Sequence, residues 1–110
     1  MWSIDKRHTC AYLYNMTYNW DDEKNEILKE QRNISFEEII LCISEGKVVK
    51  ILKHPNEEKY GNQKIYLINY NDYIYVVPFV ENKEDKEIFL KTIYPSREYT
   101  KKLLKNGGKE

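Results

Sequence analysis

The side chains with most chemical reach gather toward the C-terminus. From Arg97 to Glu110 the chain carries five bases against two acids, whereas Asp21 to Arg32 carries five acids and three bases. A local excess of cations makes the C-terminal end the natural place for a phosphate or carboxylate partner. Arg97 opens a helical pattern, where free backbone N–H groups attract anions, and its guanidinium fork grips two oxygens at once. The competing reading of Arg97 is an ion pair with a helix acid such as Asp22 or Glu37. Lys101, with Lys102 and Lys105, serves equally well as a solvated helix face. Lys91 rises from a strand as either a phosphate-groove cation or a plain sheet-surface lysine. His54 titrates near neutral pH and suits an acid or base role; it suits equally a strand-end histidine bonded to the Pro55-Asn56 turn. Tyr60 and Tyr75 can stack a base or supply a proton. Tyr75 reads as readily as core, because Tyr73, Tyr75, Val77 and Phe79 point one way.

The sequence carries none of the usual enzyme signatures. There is no P-loop, GxSxG or GxGxxG pattern, and no pair of carboxylates stands out. Two cysteines, Cys10 and Cys42, and two histidines, His8 and His54, lack metal-ligand spacing, so neither a metal nor a cofactor is expected. The 18 basic and 18 acidic residues balance, which argues against nucleic-acid binding through bulk charge but not against a local patch. The cysteines suit a reducing compartment. No apolar run approaches the about twenty residues that span a bilayer. The basic pair Lys6-Arg7 has no adjoining apolar stretch, so no signal peptide is read, and the expected location is the cytoplasm. Ten tyrosines suit half-buried strands.

These residues need elements to position them. At 110 residues one domain is expected. Residues 1–15 show neither helical nor strand periodicity and read as an upstream extension; the alternative is an extra element packed by Trp2, Ile4, Tyr12 and Leu13. The domain spans 16–106, and 107–110 is a tail. Tyr18-Asn19-Trp20 suits a short first strand. Asp21-Asp22-Glu23 opens a helix to about Arg32, with Trp20, Lys24, Ile27, Leu28 and Gln31 on one face. Ser35 and Glu38 form a capping-box pattern, flanked by Ile34 and Ile39 at staple positions. Phe36, Ile39, Ile40 and Ile43 then repeat at helical spacing, and Gly46 is the stop. Strands follow at Val48–Lys53, Lys64–Tyr70, Tyr73–Val80 and Glu87–Tyr94. Asn71-Asp72 makes a tight hairpin turn. Pro78 demands a bulge or an unpaired edge. Ser96 caps a last helix, Arg97 to Lys105, with Tyr99, Leu103 and Leu104 inward. The expected architecture is α+β: two N-terminal helices, a four-stranded mainly antiparallel sheet with a short extra N-terminal strand, and a C-terminal helix. The sheet should be covered mainly on one side.

Three stretches, in order, resemble BrnT-like toxins, particularly a branch with proline-rich strand signatures. Trp20-Asp21-Asp22-Glu23-Lys24-Asn25 is similar to the opening W-D-x-x-K-N. Ile34-Ser35-Phe36-Glu37-Glu38 is similar to the I-S-F-E-E helix start. Phe89 to Arg97, with Thr100 and Lys101, resembles the branch's last strand and the A-R-x-x-T helix start. His54-Pro55-Asn56, Tyr60 and Tyr73-x-Tyr75-x-Val77-Pro78-Phe79 also look like the branch. The resemblance covers about Thr17 to Leu104. It implies a RelE-like fold and an RNA-cleaving, translation-blocking activity. It also implies a cognate antitoxin, usually a small ribbon-helix-helix DNA-binding protein, in a hetero-oligomeric toxin–antitoxin complex. One departure bears on catalysis more than on fold. Better-known members carry several arginines on the last strand and final helix, where this chain has Arg97 alone, and Lys91 does not align with the strand arginine.

Metal-free RNA cleavage would use the neighbouring 2′-hydroxyl as nucleophile. It needs a base, an acid, and positive charge for the developing phosphorane. Arg97 and Lys91 are the candidates for charge and His54 for proton transfer. Tyr60, Tyr75 and Lys101 are the candidates for holding RNA. The alternative is a module of the same fold that binds protein or RNA without cutting; a weaker third reading is a mobile-element regulator with no toxic role.

Overall fold

The computed structural model describes residues 8–13, 16–53, 63–82 and 84–105, the first of these as backbone only. The elements in chain order are β1 (His8–Leu13), β2 (Met16–Asp21), α1 (Asp22–Arg32), α2 (Phe36–Ser44), β3 (Val48–Lys53), β4 (Gln63–Tyr70), β5 (Tyr73–Asn82), β6 (Glu87–Leu90), β7 (Tyr94–Pro95) and α3 (Arg97–Thr100). The last helix continues as a π-helix over Lys101–Lys105. All strands join one sheet in the order β1-β2-β6-β5-β4-β3, with β7 also on β5. Every pairing is antiparallel except β2 with β6. The class is α+β, and no helix among the described residues is long and apolar enough to cross a membrane.

Local chemistry explains the helix ends. Asp21 caps α1 by accepting from the Glu23 N–H at 2.9 Å. Asn33, at φ 57°, closes it in the left-handed conformation that asparagine tolerates. The capping box of α2 is complete: Ser35 Oγ accepts from the Glu38 N–H, and Glu38 Oε1 accepts from the Ser35 N–H at 2.9 Å. Gly46 follows at φ 77°. The β4–β5 hairpin turns on Asn71 and Asp72, both with positive φ (56° and 62°), the backbone that a right-twisted two-residue hairpin requires.

The layout corrects the expected one in five ways, the last of them the cover of the sheet. The sheet has seven strands. One of them, β1, lies within 1–15 and pairs with β2 from His8↔Asp21 to Leu13↔Met16. Pairing is made by backbone groups, which side-chain periodicity does not report. The last strand divides into β6 and β7. The cause is visible at Pro78, whose carbonyl accepts from the Lys91 N–H at 2.8 Å. A strand residue's N and C=O point the same way, so the nitrogen without a hydrogen faces this same side. There β5 exchanges β6, paired through Phe79–Asn82, for β7, paired at Tyr75 and Val76. β5 is an interior strand with Pro78 opposite Ile65 in a continuous register, so in place of the expected bulge or unpaired edge the missing hydrogen falls at this break. Further, α1 buries Asn25 and Leu28, while Ile27 is 45% exposed; the expected stripe is rotated toward Asn25.

Both faces of the sheet are covered, not one. On the first, α1 and α2 bury Leu28, Phe36, Ile39 and Ile43 against Tyr18, Trp20, Tyr66, Ile68, Val77, Phe79, Ile88 and Leu90. Trp20 stacks on Phe36 at 5.8 Å and Tyr66 on Phe79 at 4.2 Å between ring centroids. On the second, Tyr99, Leu103 and Leu104 pack against Ile65, Leu67, Ile74 and Val76. Each fully buried large aliphatic contributes about 1.5–3 kcal/mol. The alternation along β5, with Val77 and Phe79 on one face and Ile74 and Val76 on the other, follows the period of two.

Candidate functional site: a basic segment from Lys91 to Lys101

The start of the last helix is fixed to β5 from both sides of one residue. Ile74 accepts from the Ser96 N–H at 2.9 Å and donates its own N–H to Thr100 Oγ1 at 2.8 Å. Thr100 Oγ1 in turn donates to the Ser96 carbonyl at 2.7 Å. Ser96 Oγ caps the helix by accepting from the Tyr99 N–H at 3.1 Å. Arg97 is therefore held on a rigid shoulder of the sheet while its own side chain is exposed. Among the described residues no hydrogen bond or ion pair involves the Arg97 guanidinium, so the pairing with Asp22 or Glu37 is not found. The α-helical part, Arg97–Thr100, is one turn long, so the aligned dipole behind it is small.

Lys91 begins the link from β6 to β7 and is exposed. Its backbone is fixed by the bond to Pro78. Lys101 lies one turn past Arg97, with its N–H bonded to the Arg97 and Glu98 carbonyls, and is exposed. These three cations share one continuous stretch of chain. Tyr75 does not share their surroundings. It pairs with Pro95 but packs against the first-face core, edge-on to Tyr70 at 5.7 Å and Tyr73 at 5.9 Å. The helix bearing Lys101 packs on the other face. His54 and Tyr60 lie outside the described residues.

Two contributors were not legible in the sequence. Arg32, in the last turn of α1, donates from Nη1 to the Ile93 carbonyl at 2.6 Å, bringing a further cation to the link. Its partner is 61 positions away, so no local pattern announces it. Tyr94 pairs with Val76 and so shares the second face with Tyr99. It is 40% exposed; burial, then the neighbouring Tyr99, pushes its phenol above the ordinary value. Its place at the end of a strand pattern gave no sign that the strand had broken before it.

The exposed Arg97 fork can hold an anion by charge and geometry, and Lys91, Tyr94 and Lys101 are exposed on the same stretch of chain. The shifted acid on this stretch is the Tyr94 phenol, which burial and Tyr99 push upward, away from proton transfer near neutral pH.

The concave surface near α2 is chemically quieter. A hollow of about 220 Å³ is lined by Glu38, Leu41, Cys42, Lys47, Asn69 and Tyr70 among others. Tyr70 donates to Glu38 Oε2 at 2.9 Å, which, with some burial, pushes the phenol up to about 12. Burial pushes the Cys42 thiol up against the opposing pull of Lys47, away from the reactive thiolate.

Compared with known protein families, curated proteins and solved structures, the chain matches none of them.

Proposed function

We propose that this protein is the toxin of a bacterial toxin–antitoxin pair: a RelE-like, metal-independent endoribonuclease that blocks translation until a cognate antitoxin binds it. The observation that carries the reading is Arg97, an exposed guanidinium without a partner among the described residues, on a helix start bolted to β5 through Ser96 and Thr100. These bonds fix the backbone that carries Arg97, so only its side chain has to be ordered around a phosphorane. The Ser96-Arg97-x-x-Thr100 spacing that carries the resemblance is also the spacing that makes this bolt. Lys91 and Lys101 lie on the same stretch, Arg32 is bonded to it at the Ile93 carbonyl, and Tyr94 is the proposed stacking face; His54 is the proposed proton carrier.

A second reading, a non-catalytic RNA- or protein-binding module of the same fold, is favoured by one fact. Tyr75 stands with the core aromatics rather than with the cations.

Induced expression separates the two. The wild-type chain should arrest growth and protein synthesis with loss of RNA integrity. Arg97→Ala should relieve arrest at equal expression with an unchanged melting curve. Lys91→Ala should relieve it less, since a point charge is easier to replace than a fork. His54→Gln tests proton transfer separately. Full toxicity of Arg97→Ala would put the phosphate site elsewhere; a harmless wild type that leaves RNA intact would favour the binding module.

A further inference from the structure

We propose that the outer edge of β3 is a docking rail for an acidic, extended segment of a partner protein, which joins the sheet as an added strand. Among the described residues, β3 ends the strand order and pairs with β4 alone. Its outward N–H and C=O groups are therefore a template for another chain. The rail is accessible: Val49 is 41% and Ile51 54% exposed, and Lys47, Lys50 and Lys53 are all exposed. From Gly46 to Lys53 there is no acid, although the whole chain is neutral. That local charge selects the occupant.

A second copy of this chain is a poor one. Antiparallel self-pairing keeps each face of the sheet continuous, so a register centred on Ile51 sets Lys50 opposite the second copy's Leu52 and diagonal to its Lys50. It gathers Lys47, Lys50 and Lys53 of both copies on one seam without an acid, and like charges across paired strands repel. An acidic strand gains from the same lysines.

The register specifies the pattern it should carry. Ile51 pairs with Tyr66 and Lys53 with Lys64, so both lie on the face that α1 and α2 cover; Lys50 and Leu52, paired with Leu67 and Ile65, lie on the face of the last helix. Leu52 is part of the second core. A complementary strand therefore presents an acid, two apolar residues, then an acid, opposite Lys50, Ile51, Leu52 and Lys53. The inference rests on the edge itself and holds whether or not the chain cleaves RNA.

The test uses the full chain and a labelled peptide, Ser-Asp-Val-Val-Glu-Thr, followed by fluorescence anisotropy. The control peptide carries Lys in place of Asp and Glu. The acidic peptide should bind about tenfold or more tighter than the control, weaken with salt, and slow amide exchange within Val48–Lys53. The double variant K50E, K53E, which leaves the buried side chains untouched, should reverse the preference. Equal binding of the two peptides, protection confined to other segments, or a preference unmoved by the charge reversal would overturn the proposal. So would self-association through β3 that excludes the peptide.

Discussion

Asn25 shows how much one buried side chain can organise. It is 3% exposed. Its Oδ1 accepts from the Phe36 N–H at 2.8 Å, and its Nδ2 donates to Glu37 Oε1 at 2.9 Å. The first amide of a helix has no partner within the helix, so α1 supplies the missing acceptor to α2. Asn25→Ala should cost about 1–3 kcal/mol, because the Phe36 N–H is left buried and unsatisfied. Denaturant unfolding reads this directly; a change within error would mean that water reaches the amide. The residue is visible in the W-D-x-x-K-N stretch, but its role is not, because the acceptor and the amide belong to different helices. A second residue effect concerns pH. Tyr70 has its phenol raised from 10.0 to about 12, first by its bond to Glu38. Its stabilisation is fully present below pH 10.0 and is lost as pH rises toward about 12, since the unfolded chain releases that proton first. Tyr66 acts in the same direction, through burial and then its hydrogen bond to Tyr18. In Tyr70→Phe, the alkaline fall in melting temperature should therefore be shallower, not absent. A fall as steep as the wild type's would remove Tyr70 from the account.

At the scale of elements, α2 is the segment whose sequence and structure agree most closely. Its start depends on Ser35 and Glu38, three positions apart, and on Ile34 and Ile39, both in the core. Everything that defines it is local. Ser35→Ala should cost about 0.5–2 kcal/mol and leave the outcome of the expression assay the same as for the wild type, as chemical denaturation beside that assay would show. An unchanged midpoint would mean that Glu38, also held by Tyr70, keeps the turn alone. The last strand is the opposite case. Its division into β6 and β7 depends on Pro78 in a neighbouring strand and on Arg32 from α1. Neither is within reach of a periodicity argument. The candidate site shares this split legibility. Arg97, Ser96 and Thr100 are readable from spacing, whereas Arg32 and Tyr94 require the fold.

For the whole molecule, the N-terminal segment poses the sharpest question. β1 covers the outer edge of β2 along six pairs. Among the residues whose side chains are described, the buried core runs from Tyr18 to Ile93, with α3 and the π-helix covering its second cluster. A chain starting at Met16 should stay folded on that core, while losing a strand's worth of backbone bonds and exposing the β2 edge. We expect a cooperative transition several degrees lower, equivalent to roughly 1 kcal/mol, and some self-association in sedimentation. An unchanged melting temperature would show that residues 1–15 contribute nothing to stability; loss of cooperativity would make them integral.

The one parallel seam among the described strands, β2 against β6, has a temporal meaning. Thr17 meets Glu87 and Asn19 meets Phe89, so the two strands find each other only after some seventy residues have been arranged. The β4–β5 hairpin, by contrast, closes through Asn71 and Asp72 alone. Local pairings form before the loop entropy of distant ones is recovered. The hairpin should thus template assembly, and the seam should zip last and open first. Changes at Asn71 or Asp72 would then slow refolding, while loosening the Asn19–Glu87 side-chain bond would mainly quicken unfolding. Stopped-flow measurements on the two kinds of variant distinguish these limbs, and a reversed pattern would place the nucleus at the seam.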